Sequence, residues 1–274
     1  MNINQSIALS LAHSWNRIRA IMLLGVRQMH NDPIYLVQTF FYAAFNFTLW
    51  GIAGRWLHTT YTDNALLQLA MMTTLFASES MVRASLDVMG TLLIDISDRN
   101  IANLFASPLA AAEYVLGTFL VALMNQPMVF LLAVLIGNWF CQINILHAPL
   151  AVVPFWLTIF ISGLGVGLCG ASLLISTGRR FFNVIFMLAR TAVLIGGTLY
   201  PVEGLPLLLR GVARLFPVSY ATDAIRLLMM HQIFSWQLLA ISVLMSLLYL
   251  GGGFYLFLRM FARSKQHGLM RLND

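Results

Sequence analysis

The chain has 274 residues, 59% hydrophobic and only 9% charged, and its mean hydropathy is +0.81. Soluble domains keep roughly a quarter of their residues charged, so a chain this poor in charge is solvated by lipid rather than by water. Its formal net charge is +6, but the cations stand at the ends of apolar runs instead of clustering on one face, which excludes a nucleic-acid groove.

Residues 7–31 read as a helix lying on the membrane. Ile7, Leu11, Trp15, Ile18, Met22, Val26 and Met29 recur in steps of three and four and form one stripe, with His13, Asn16, Arg17, Arg19, Arg27 and His30 mostly opposite. A basic amphipathic helix suits an anionic lipid leaflet. The same cations interrupt any apolar signal core, so no cleavable leader is expected. Asn31-Asp32-Pro33 ends the element and makes 1–32 an interface segment.

A membrane-crossing helix takes about 20 apolar residues, and the runs 33–53, 65–90, 112–137, 149–175, 182–200 and 236–259 qualify. They predict an all-α polytopic membrane protein of about six transmembrane helices, with 33–260 as the transmembrane domain and 261–274 as a tail. Putting the N-terminus inside leaves ten cations in the cytoplasm: Arg17, Arg19, Arg27, Arg99, Arg179, Arg180, Arg259, Arg263, Lys265 and Arg271. Only Arg55, Arg210, Arg214 and Arg226 then lie outside. Cations favour the cytoplasmic side, so both termini are expected there. The three arginines at 210–226 run against that rule.

Polar residues inside the runs are few. Glu79, Arg83 and Asp87 stand four apart on the second run, which stacks them on one helical face with alternating sign. Arg190, near the middle of the fifth run, is the deepest ionisable residue of the chain by these bounds, and its long side chain is expected to reach Glu79. A charge at such depth costs about 2.5–3.5 kcal/mol on insertion scales. These groups therefore either lock two helices as an ion pair or line a polar access path or gate. Gly163, Gly165, Gly167 and Gly170 crowd the fourth run, and the four-residue spacing of Gly163 and Gly167 points to close helix packing. Asn125-Gln126-Pro127 predicts a break in the third run, and Gly251-Gly252-Gly253 a kink in the last.

Catalytic constellations are missing from the sequence. Cys141 and Cys169 form no CxxC, and no two histidines lie four apart, so HExxH zinc chemistry is excluded. The sole lysine, Lys265, has no glycine frame, so there is no conventional P-loop. No catalytic residue, metal or cofactor is assigned to this chain, and ATP, if used, must be hydrolysed by a partner.

Two stretches carry a resemblance. The first is Asp95-Ile-Ser-Asp-Arg-Asn-Ile-Ala-Asn-Leu-Phe-Ala-Ser-Pro108, followed by Glu113-Tyr114 at the foot of the third run. The second is Tyr200-Pro-Val-Glu-Gly-Leu-Pro206, continuing to Phe216-Pro-Val-Ser-Tyr-Ala-Thr-Asp-Ala-Ile-Arg226. In this order and spacing they resemble ABC-2 type permeases, the membrane-spanning subunits of export-type ABC transporters. The acidic-Gly-Thr start of the family's first loop is absent here.

The resemblance implies an amphipathic interface helix, six spans, and re-entrant extracellular helices before the last span, marked here by Pro201, Glu203, Pro206, Pro217, Tyr220 and Arg226. Such a segment would account for arginines at an external mouth. It also implies a homodimer in the bacterial inner membrane, in contact with membrane lipids. Two copies of a separate nucleotide-binding ATPase subunit would hold ATP and Mg, and an amphipathic or lipid-linked cargo (drug, glycolipid, polysaccharide or peptide) would be exported. The coupling candidates are Asp98, Arg99, Ile101, Leu104, Phe105, Ser107 and Pro108, on a short helix that could enter a groove on the ATPase; the competing reading is an ordinary turn capped by Asp98. Two other classes stay open. An ion-driven secondary transporter would use Glu79, Arg83 and Arg190 as a relay, although the internal repeats common in that class are not evident. A membrane enzyme acting on lipid-linked groups would need a carboxylate pair or metal site that the sequence lacks.

Overall fold

The computed structural model describes residues 14–27, 33–61, 65–97, 110–178 and 182–267, and among these it is helical, with no strand. The helices are α1 (14–27), α2 (Pro33–Tyr61), α3 (Ala65–Ser97), α4 (Ala111–Ile136), α5 (Val153–Thr177), α6 (Phe182–Ile195), α7 (Leu207–Ala213), α8 (Pro217–His231) and α9 (Trp236–His267). Among the described residues three helical stretches, Ala111–Cys141, Leu150–Thr177 and Trp236–Ser264, are long and apolar enough to cross a membrane. The chain is therefore a multi-pass membrane protein. Successive long helices alternate in direction. One end of the bundle carries the connections 137–152 and 196–235 and is called the loop end; the C-terminus of α9 lies at the other, the tail end.

α3 is the axis of the bundle. At 33 residues it is about 50 Å long, well beyond a hydrocarbon core of about 30 Å. It shares a core with α4, α5 and α9 near the tail end, another with α5 and α8 near the loop end, and a third with α2 and α4. Its buried face holds Gln68, Thr73, Thr74, Ser78, Glu79, Ser80, Arg83, Ser85, Asp87 and Asp95. In water this helix would be turned inside out. In lipid, where the solvent is as apolar as leucine, the polar helix goes inside and apolar ones surround it. α9 is the converse, with Leu244, Leu247, Leu248 and Tyr255 all exposed.

The glycines of α5 permit this packing, as their spacing predicts. A Cβ on Gly163 would fall 2.5 Å from the Met81 carbonyl oxygen of α3, and one on Gly165 would lie 2.6 Å from the Leu250 nitrogen of α9. Any side chain there would push one of the two neighbours away.

Several expectations need correction. The fifth run does not continue to 200. α6 stops at Ile195, and its 14 residues measure about 21 Å, too short to cross alone. The chain then reverses at 196–200, where Gly197 takes φ +80, a conformation that glycine adopts without steric cost. The carbonyls released by this turn are bonded by protein. Thr74 Oγ1 donates to Thr198 O (2.8 Å), Thr222 Oγ1 to Gly196 O (3.1 Å) and an Arg226 Nη to Gly197 O (2.9 Å). α4 runs on through Pro127, so the expected break is absent there, and Gly251–Gly253 lie within the continuous helix α9. In α4 the Gln126 amide donates to Ala122 O (3.2 Å), and in α9 Gly253 gives room for the Gly165 carbonyl.

The packed face of α1 also differs from the predicted stripe. Arg17 pairs with Glu113 at 2.7 Å, Ile21 meets Gly117, and Gly25 meets Val121. Matching four-residue steps on both chains mean that α1 runs parallel along the first turns of α4. Trp15 and Val26, on the apolar stripe, are exposed and lie away from this contact. Small residues and an ion pair decide the contact, because apolar area exerts no pull between helices in lipid.

Candidate functional site

Two polar clusters stand out. The first is midway along the bundle. Arg190, on α6, puts a guanidinium nitrogen 3.2 Å from Glu79 Oε1 on α3, and the same oxygen accepts from Asn46 Nδ2 of α2 at 3.0 Å. The rings of Tyr42 (α2) and Phe186 (α6) each lie 5.2 Å from the guanidinium carbon, within cation–π range. One turn further along α3, Arg83 meets Asp87 at 2.6 Å, both buried. Arg83 and Glu79 thus share a helix face, yet their close carboxylate–guanidinium contacts are with different partners. Desolvation at this depth leaves a lone charge no stable place, which is why each has its counter-ion beside it. Asn46, Tyr42 and Phe186 were absent from the sequence-derived candidates. The four-residue step from Tyr42 to Asn46 put them on one face, but nothing local linked that face to Arg190.

The second cluster lies at the loop end, where the prolines punctuate the chain. Pro201 precedes the turn Val202–Gly204, Pro206 precedes α7, and Pro217 opens α8, each using a fixed φ that suits a helix start. The fold-back brings Glu203 against Arg214 (2.5 Å), Arg214 against Asp223 (2.7 Å), and Asp223 against Arg226 (3.5 Å). The Arg214 guanidinium also sits 5.2 Å over the Tyr220 ring. Burial, with the nearby charge of Glu203 adding to it, pushes the Asp223 carboxyl above the usual aspartate value, and Arg214 and Arg226 oppose the shift. These charges line a cleft of about 310 Å³ together with Pro201, His231 and Leu238. Of the residues predicted for this segment, Glu203, Tyr220 and Arg226 join the cluster, Pro201 lines its cleft, and Pro206 and Pro217 only start helices. Arg214 and Asp223 were missed as site residues. The three-residue step from Asp223 to Arg226 was a usable signal; the bridge from Glu203 to Arg214 was not.

A third feature is apolar. A cavity of about 570 Å³ opens between α3, α4 and α5, walled by Phe76, Phe130, Leu123 and Trp156. At its floor Trp156 Nε1 donates to Ser80 Oγ (2.8 Å), and the Ser80 hydroxyl donates to Gln126 Oε1.

Among the described residues no three His, Cys, Asp or Glu side chains gather as a metal site. The ABC-2 type transporter family model matches residues 17–230, spanning α1 through most of α8 and so both polar clusters. The chain belongs to the ABC-2 type transporter family. This makes the protein a permease component of an ABC transporter. A comparison with individually curated proteins gives no match. The permease's coupling candidates, Asp98, Arg99, Ile101, Leu104, Phe105, Ser107 and Pro108, all lie outside the described residues, as do Arg179 and Arg180. At the edge of that segment the Ala110 nitrogen donates to Glu113 Oε2 (3.0 Å), and the Tyr114 hydroxyl reaches Asp95 Oδ2 at 3.3 Å.

Proposed function

We propose that this permease is the membrane half of an ATP-driven exporter in the bacterial inner membrane, working as a homodimer with two copies of a separate ATPase that binds ATP and Mg. The observation that carries the reading is the family match over 17–230, which takes in the loop-end fold-back as well as the helices. The cargo is amphipathic or lipid-linked and moves outward. In this reading α2, α3, α4, α5, α6 with its turn, and α9 make the six crossings. The loop end faces outside, and both termini face the cytoplasm. The ten-to-four cation distribution supports that orientation. The fold-back of α7 and α8 gives Arg214 and Arg226 counter-ions in Glu203 and Asp223, in keeping with a re-entrant segment at an external mouth.

Residues 98–108 couple the permease to its ATPase, with Ile101, Leu104 and Phe105 entering a groove on the partner and Asp98, Arg99, Ser107 and Pro108 shaping the segment. The Glu79–Arg190 contact joins α3 to α6 at the centre of the permease, where a gate has to change its packing. The test is co-expression with the ATPase encoded beside it, followed by purification in lipid nanodiscs. Co-purification with ATP turnover that Leu104→Asp or Phe105→Asp abolishes supports the reading. An isolated permease that passes protons in a Glu79-dependent manner would replace it with an ion-driven transporter.

A further inference from the structure

Arg190 is held firmly but bonded sparsely. A guanidinium has five N–H donors. Here one Nη meets Glu79 at 3.2 Å, longer than the 2.7–2.9 Å of a good charge-assisted bond. Its Nε is buried and has no hydrogen-bond partner among the described residues. Tyr42 and Phe186 grip the carbon at 5.2 Å on either contact, fixing the group without using its donors. Arg226, by contrast, donates to a carboxylate and to two backbone carbonyls. The Arg190 side chain also keeps 24% of its surface open. A partly open, under-bonded cation midway along the bundle is costly unless it meets water or an anion.

Its surroundings suit one kind of anion. Along α6, Met187 and Leu194 lie three and four residues from Arg190 on the same side and are exposed, as is Phe45 beside Asn46 on α2. A guanidinium with one bonded Nη, an unpartnered Nε and part of its surface open thus sits among exposed apolar side chains. Glu79 also accepts from Asn46 at 3.0 Å, so it keeps a hydrogen-bond donor when Arg190's long contact passes to another oxyanion. We propose that Arg190 binds the oxyanion head group, phosphate or carboxylate, of an amphiphilic cargo, with Glu79 as the internal counter-ion that the cargo displaces. The planar fork takes such an oxyanion through two parallel bonds, while the apolar flanks receive the chain. This rests on the permease reading and names the class of cargo: anionic amphiphiles over neutral ones.

The test uses the purified full-length permease in zwitterionic nanodiscs and measures the binding of dodecyl phosphate, dodecyl maltoside and inorganic phosphate. Dodecyl phosphate is expected to bind more tightly than the other two. Arg190→Gln should weaken it about tenfold, the size of a lost charge-assisted bond, and leave dodecyl maltoside unchanged. Glu79→Gln should tighten it, because the competing carboxylate is gone; a purely structural ion pair predicts no such gain. If Arg190→Gln does not fold, the Glu79→Gln arm decides alone. Equal binding of phosphate and maltoside detergents, equal binding of inorganic phosphate, or no tightening in Glu79→Gln overturns the proposal. The assay contains neither ATP nor ATPase. Its failure in a permease that still couples to an ATPase removes the anionic cargo and leaves the exporter standing.

Discussion

The loop-end cluster and the mid-bundle cluster use the same residue types and differ in how completely they close. At the loop end Glu203, Arg214, Asp223 and Arg226 bond one another in a chain, and Arg226 also satisfies the Gly197 carbonyl. At mid-bundle Arg190 has one acid at 3.2 Å, two rings and a buried donor to spare. The first arrangement holds a fold-back in shape. The second can exchange its partner. A network whose members bond one another resists change because a rearrangement breaks several contacts together, whereas a spare donor allows a second arrangement of similar energy.

The largest effect expected from breaking this comparison is charge reversal at the centre. Glu79→Arg or Arg190→Glu puts two like charges together at membrane depth, so each single variant should lose assembly or transport-coupled ATPase activity almost entirely, by a cost of at least about 3 kcal/mol. The double swap should recover assembly and much of the activity. If neither single change alters expression or activity, the pair has no role of either kind. Next comes Arg214→Ala, which strips Glu203 and Asp223 of their shared cation. It should lower thermal stability by about 1–2 kcal/mol, because the network is part exposed, while leaving dodecyl phosphate binding intact. Loss of that binding would mean that the two clusters are not independent. Raising salt from low to molar concentration should weaken the loop-end network by less than about 1 kcal/mol and leave the buried Arg83–Asp87 contact unaffected. The smallest effect is expected for Arg17→Ala: its bond to Glu113 is short but partly exposed, so the change should cost about 0.5 kcal/mol in unfolding experiments.

Legibility in the sequence followed the same division. The contact between Glu79 and Arg190 was readable because a buried charge in lipid demands a counter-ion and few candidates exist. The α5 glycines were readable because the four-residue step from Gly163 to Gly167 has one dominant use in membranes. The end of α6 was not. Leu199 and Tyr200 carry the apolar run past the helix, and only Gly196-Gly197 hinted at the turn whose carbonyls Thr74, Thr222 and Arg226 bond. Those bonds span distances no local pattern encodes. The contact of α1 with α4 was not legible: periodicity finds the apolar side, but Ile21, Gly25 and the pair from Arg17 to Glu113 determine which side packs on α4. The coupling segment was readable only through resemblance, since a short amphipathic stretch has many uses.

The most direct test of the account is ATP turnover by the permease purified with its neighbouring ATPase in nanodiscs, with and without Phe105→Asp. Stable association and turnover that the substitution abolishes, while the permease itself stays folded, is the predicted result. A permease that captures no ATPase, yet conducts protons in a way that Glu79→Gln abolishes, would contradict it.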